Sequence, residues 1–203
     1  MSTAIEHRLL LSQAEAFARE VLALLGPACE RIEIAGSIRR RKADVGDIEL
    51  VAIPRLEEQA AGLFGTETVT VNHLDLLVTH LMADHHLEAR QPRRLGSKYK
   101  ALVFQGVPVD LFVVLPPAQF GWLFTIRTGP ADFSHRLVTP QCQHGYLPNY
   151  LKAADGAVYH QDDVERRADA FHAKAGKLPY PMPEERDVFE LLHLDYVPPE
   201  LRQ

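Results

Sequence analysis

Cysteine is scarce in this chain. Cys29 and Cys142 are far apart and form no Cys-x-x-Cys pair. That excludes a disulfide framework and a cysteine-held zinc, and it sets a reducing cytoplasm as the expected location. No apolar run approaches the length of a membrane span, so no membrane partner is expected. The opening segment, MSTAIEHRLLLSQAEAF, lacks a basic region followed by an apolar stretch and a small-residue cleavage site, so a secretory signal is not expected. Internal repeats and low-complexity tracts are missing too. Basic residues are outnumbered, with 22 Lys and Arg against 27 Asp and Glu and a net charge of −5. That balance argues against a protein that coats nucleic acid without specificity.

What is present is the composition of a globular chain. With 46% hydrophobic and 24% charged residues over 203 positions, it can bury one core and carry a small appended lobe. The charge is unevenly placed. Arg39, Arg40, Arg41 and Lys42 form one basic run. Arg90, Arg93, Arg94, Lys98 and Lys100 form a second group, and no carboxylate lies between Ala89 and Val109. The acidic excess lies beyond Asp155. Such segregation suits a phosphate-facing groove. Two solvated faces are the plain alternative.

Ser12 and Glu15 have the spacing of a capping box, and Phe17, Val21, Leu24 and Leu25 then fall on one helical face until Gly26-Pro27. RIEIAGSI reads as a strand, RRRKADVG as a polar turn, and DIELVAIP as a second strand ended by Pro54. Asn72 is placed to cap a helix carrying Leu74, Leu77, Val78 and Leu81. KYKALVFQ and PVDLFVVL read as a hairpin turning at Gly106. After Pro117 the texture changes to short helical pieces with Trp122, Phe124 and Phe133, which suggests a second lobe. The economical architecture is α+β, a mixed sheet with helices on one face. The expected boundary divides residues 1–117 from 118–203.

Two carboxylates carry the chemistry. Asp47 and Glu49 are two apart on the predicted strand, so alternation points them to one face. Their apolar neighbours mark the strand as central, where like charges side by side cost stability. A divalent cation would remove that cost. Asp110 sits in an equally apolar strand, and if the strands are neighbours three carboxylates converge. Hard oxygen ligands suit Mg²⁺ or Mn²⁺, with substrate phosphates completing the shell. Polar positions facing solvent are the alternative for Asp-x-Glu alone. Gly36-Ser37, ten residues before Gly46-Asp47, shifts the balance. A glycine lets the backbone approach a phosphate, a serine hydroxyl donates to it, and the guanidiniums of Arg39 and Arg40 bind it in pairs.

GSIRRRKADVGDIELVAIP resembles the palm signature of the family X DNA polymerases, within the nucleotidyltransferase superfamily. LGSKYKALVF is similar to the family's strand before its third aspartate. GWLFTIRTGPADF resembles the segment that opens the thumb, and EERDVFELLHLDYVPPELR resembles the C-terminal end. The resemblance implies a nucleotidyltransferase palm over 1–117 and a small α/β thumb over 118–203. It implies that Asp47, Glu49 and Asp110 hold two Mg²⁺ ions, or Mn²⁺, with Asp110 nearest the attacking hydroxyl. Gly36, Ser37, Arg40 and Gly46 would cradle a dNTP triphosphate. Thr128 and Gly129 would line the sugar and base, and Lys98, with Arg93 and Arg94, would meet phosphates of a DNA primer and template. The implied activity is transfer of a nucleoside monophosphate to a 3′-hydroxyl with release of pyrophosphate, in short gap-filling or repair-type synthesis, by a monomer.

The chain departs from the family in places. The second carboxylate is Glu49 rather than Asp. Ile126 and Arg127 stand where aromatics usually precede Thr-Gly, so weak sugar discrimination is expected. Ser134 replaces the usual Asn. The residues before Ser12 leave no room for a lyase domain or helix-hairpin-helix fingers, so the expected form is the reduced one seen in viral members. The rival readings are transfer to an untemplated end, an RNA or a small molecule, and a silent nucleic-acid-binding module. Other residues read more plainly: Asp84-His85-His86 as a solvated helix end, DDVERRADAF as a solvated helix, Trp122 and Phe133 as core. Lys98 and Lys100, two apart on a strand, are expected to share a phosphate-facing side.

Overall fold

The computed structural model describes residues 8–62 and 67–202. In chain order, β1 (Leu9–Leu10) and α1 (Leu11–Leu25) lead into β2 (Cys29–Ile34) and the short α2 (Gly36–Arg39). Then come β3 (Asp44–Val45), β4 (Ile48–Pro54), the ribbon β5 (Leu56–Ala61) and β6 (Glu67–Asn72), α3 (His73–Ala83), β7 (Glu88–Ala89), β8 (Tyr99–Phe104) and β9 (Val107–Val113). The chain forms two compact units. One holds Met1–Ile34 and Ala43–Val113, the other Ala35–Lys42 and Val114–Gln203, so α2 groups with the later residues.

The first unit is built on a five-stranded sheet in the order β2-β4-β9-β8-β7. Strands β4 and β9 are parallel, and the other neighbours are antiparallel. Alternation along β9 buries Val107, Val109, Leu111 and Val113 and leaves Pro108, Asp110 and Phe112 half-buried on the other face. In β4, Ile48, Leu50 and Ala52 match the buried set. Helix α1 packs on β2 and β4 and touches α3. The buried face of α1 is Ala14, Ala18, Val21 and Leu25, rotated from the expected Phe17 and Leu24. The two alanines carry little bulk, which suits a close helix–sheet approach. The expected capping box at Ser12 does not form, because the helix already begins at Leu11. Instead the Leu10 N–H donates to Gln13 Oε1 at 3.2 Å. Asn72 does cap α3, its Oδ1 accepting from the Asp75 N–H at 3.1 Å. Sequence periodicity misses the mostly exposed β5–β6 ribbon, since Glu57, Glu58 and Gln59 interrupt any apolar alternation.

The second unit adds α4 (Phe120–Thr128), α5 (Ala131–Val138), the hairpin β10 (Leu151–Ala154) with β11 (Ala157–His160), the hairpin β12 (Val164–Arg167) with β13 (Ala170–Ala173), and α6 (Glu185–Leu191). Trp122 and Phe133 are buried in a core with Leu137, Leu147, Val188 and Phe189, as the sequence predicts. The helix expected over DDVERRADAF is a hairpin instead. Glu165 and Arg167, two apart on β12, form an ion pair, which is the spacing of same-face neighbours on a strand. With α5 and α6 beside small hairpins, the fold is mixed α+β.

Candidate functional site

Parallel pairing of β4 with β9 sets Glu49 directly beside Asp110. Both are half-buried, on the face opposite to that of the buried Val109 and Leu111. Asp47 is half-buried and precedes β4 by one residue. Among the described residues, no three His, Cys, Asp or Glu side chains come together to hold a metal ion. The register pair is the convergence that the strand order creates. Its donors fit a hard divalent cation, which commonly takes one or two protein carboxylates and fills its shell with water and phosphate oxygens.

Asp110 is engaged by its own sheet. Its Oδ1 accepts from Tyr99 Oη at 2.7 Å and from the Arg90 guanidinium. The side chain of Asp110 is 16% exposed and that of Arg90 28%. The Tyr99 ring packs on Phe112, with centroids 5.2 Å apart. Burial, followed by the hydrogen bond and charge of Asp110, raises the Tyr99 phenol above its ordinary range, so it stays a donor at neutral pH. Sequence reasoning groups Arg90 with the phosphate-facing residues and gives Tyr99 no role. The signal for both lies in strand register, which a linear reading does not provide.

The basic stretch divides. Arg93 and Arg94, on a single 3-10 turn (Pro92–Arg94), and Lys98 are exposed. Lys100 is not with them, contrary to expectation. It stands opposite Leu111 on the buried face, 6% exposed, with Nζ 2.6 Å from Asp75 Oδ1 and 3.1 Å from the Gly96 carbonyl. Lys98 lies before β8 begins, so strand alternation does not pair the two lysines.

In the second unit, the Gly36-Ser37 turn opens α2. Gly36 has φ +63°, a backbone that glycine adopts without cost. Ser37 Oγ is buried and has no hydrogen-bond partner among the described residues, an unfilled donor and acceptor beside a glycine turn. Arg40 donates to the Thr128 carbonyl at 2.6 Å. Arg39 donates to Thr128 Oγ1 at 2.9 Å and to both oxygens of Glu185 at 2.8 Å. Thr128 is fully buried, with its hydroxyl and carbonyl both in use. Gly129 has no room for a side chain: a Cβ there would meet Phe133 at 2.6 Å and Ser134 Oγ at 2.7 Å. Ser134 donates to the Ile126 carbonyl at 2.6 Å. Gly46, in the first unit, is exposed, and a Cβ there would meet nothing within 4 Å.

Glu185 is a hub that sequence reasoning does not single out. Besides Arg39 it accepts from Arg202 at 2.7 Å and from Tyr196 Oη at 2.9 Å, and the Arg202 side chain is 0% exposed. Burial alone would raise the Glu185 carboxyl. The hydrogen bonds and charges of Arg39 and Arg202 outweigh it and bring the pKa down to about 2.

Residues 151–203 match the family described as DNA polymerase beta thumb. The match covers both small hairpins, α6, and Glu185 with its partners Tyr196 and Arg202. No curated relative matches the chain. Among the described residues, no helix is long and apolar enough to cross a membrane.

Proposed function

We propose that this chain is a metal-dependent nucleotidyltransferase of the DNA-polymerase kind, adding a dNMP to a 3′-hydroxyl with release of pyrophosphate. The observation that carries the reading is the likeness of residues 151–203 to the DNA polymerase beta thumb. It brings DNA into the account despite a net charge of −5. The adjacency of Glu49 and Asp110 supports the chemistry, because two hard carboxylates side by side on a half-buried sheet face suit Mg²⁺ or Mn²⁺. In this reading Asp47 joins them as a metal ligand, and Asp110 serves the attacking hydroxyl. The metal supplies Lewis acidity toward the phosphate and lowers the pKa of the hydroxyl.

The Ser37 hydroxyl, without a hydrogen-bond partner among the described residues, supports a phosphate role for Gly36, Ser37 and Arg40. Gly46 is a further triphosphate contact in this proposal, and the Thr128-Gly129 turn lines the sugar and base side, with the half-buried Gly129 as the direct contact. With Thr128 buried and both its oxygens engaged, its contribution is to position Arg39 and Arg40. The exposed Arg93, Arg94 and Lys98 take phosphates of the primer–template.

Primer extension on gapped, recessed and single-stranded DNA, with dNTPs and NTPs separately and with Mg²⁺ or Mn²⁺, tests this reading. Metal-dependent extension by dNTPs is the expected result. Transfer only to an RNA or a small hydroxyl acceptor would replace the polymerase with another nucleotidyltransferase. Binding of DNA without transfer under any condition would leave a nucleic-acid-binding module.

A further inference from the structure

Four residues lie in one row across the sheet of the first unit. Glu49 on β4 is opposite Asp110 on β9, and Asp110 is opposite Ala101 on β8. Ala101 in turn accepts, at its carbonyl, from the N–H of Arg90, the residue that follows β7, at 2.9 Å. Paired residues on neighbouring strands share a face. Arg90 and Asp110 are therefore two strands apart on the same side, with the small Ala101 between them in the row. A longer side chain at 101 would stand in the way. With alanine there, the guanidinium crosses β8 and binds Asp110 Oδ1. Tyr99, two residues from Ala101 on the same face, adds its hydroxyl to the same oxygen at 2.7 Å and accepts from Arg90 at 3.2 Å.

We propose that Arg90 is a resident cation on Asp110, held there across Ala101 and steadied by Tyr99, and that a divalent ion must displace it in order to bind. The inference rests on Asp110 being a metal ligand, as proposed above. The guanidinium and an incoming divalent ion carry like charge, so the two repel when both approach Asp110. Both cations need the same carboxylate, on a face where Asp110 is only 16% exposed and screening is weak. The relief left is for the Arg90 side chain to swing away. The fraction of molecules in which Asp110 is released then scales the observed metal affinity. Arg90 is in this sense a positioning residue. It keeps the carboxylate in place and neutralised beside Glu49 when no metal is bound, and it sets the metal concentration at which the site loads.

The test is direct Mn²⁺ binding to the full chain without nucleotide, read from the electron paramagnetic resonance of free Mn²⁺. Wild type, Arg90→Gln, Tyr99→Phe and Asp110→Asn are compared, with thermal melting as the check on folding. Removing one charge-assisted contact of this kind predicts Mn²⁺ affinity about tenfold higher in Arg90→Gln. Tyr99→Phe, which leaves Arg90 in place without its hydroxyl partner, should tighten binding by about two- to threefold. If Arg90→Gln does not fold, Tyr99→Phe decides. Unchanged or weaker Mn²⁺ binding in a folded Arg90→Gln, with Asp110→Asn still abolishing the wild-type signal, would overturn the competition. Mn²⁺ binding that Asp110→Asn leaves intact would instead overturn the assignment of Asp110 as a ligand.

Discussion

Lys100 Nζ lies 2.6 Å from Asp75 Oδ1, so a lysine from the second basic group of the chain holds β8 to α3. The pair is asymmetric: the Lys100 side chain is 7% exposed and that of Asp75 39%. Losing the carboxylate leaves a buried ammonium, whereas losing the ammonium leaves a half-solvated carboxylate. Asp75→Ala should therefore destabilise the protein by about 1–2 kcal/mol, less than for a fully buried pair because Asp75 is partly screened. Lys100→Met should cost less. Urea unfolding of both variants checks the order.

The exposed basic residues should behave differently from Lys100. If Arg93, Arg94 and Lys98 meet DNA phosphates, each neutralised contact should lower the log–log salt dependence of DNA binding by about 0.7–0.9. Lys100→Met should leave that slope unchanged. Titrations of labelled primer–template at several salt concentrations separate the two classes.

Ser37→Ala should separate stability from function. The hydroxyl is buried without a partner among the described residues, so removing it costs the fold little and relieves an unsatisfied polar group. If the hydroxyl meets a phosphate, the KM for every nucleotide should rise about three- to tenfold while Tm holds or increases. Gly36→Ala should do the reverse first: at φ +63° a Cβ costs about 1–2 kcal/mol of stability before any nucleotide is added. Melting curves alongside nucleotide titrations give both readouts.

The Glu185 hub should make the protein acid-sensitive. Its carboxyl has a pKa of about 2 in the fold against 4.5 ordinarily. The folded pKa is depressed, so the stabilisation is complete above about pH 4.5 and is lost as pH falls toward 2. Its size is on the order of 3 kcal/mol. Glu185→Gln should destabilise the protein by about 3–5 kcal/mol at neutral pH, because it leaves Arg39 and the fully buried Arg202 without a counter-charge. It should also flatten the loss of stability between pH 5 and 2. Denaturation at a series of pH values tests both effects.

The strands bearing Asp110 and Glu49 could be read in the sequence because their neighbours are apolar, alternating along β9 and nearly continuous along β4, and α3 because Asn72 and its leucines mark start and face. The partners of those carboxylates could not. Arg90 reaches Asp110 only because β7, β8 and β9 are adjacent and residue 101 is small, facts that register sets and composition does not. Lys100 misleads for the same reason: charge alone suggests a phosphate contact, while strand parity turns it to the buried face. The β12–β13 hairpin was hidden by DDVERRADAF, whose four-residue strands are too short for alternation to outweigh a helical charge pattern. The Glu185 hub joins residues 146 positions apart through Arg39, a distance that no local pattern spans.

The most direct measure of the central claim is single-turnover incorporation of one dNMP into a primer, with Mg²⁺ and Mn²⁺, by wild type and Asp110→Asn, alongside nucleotide binding by each. The account predicts metal-dependent incorporation by wild type. It predicts that Asp110→Asn loses about a hundredfold or more of the rate while still binding nucleotide, since it loses the group that serves the attacking hydroxyl rather than the phosphates. Incorporation by Asp110→Asn at the wild-type rate would contradict the account.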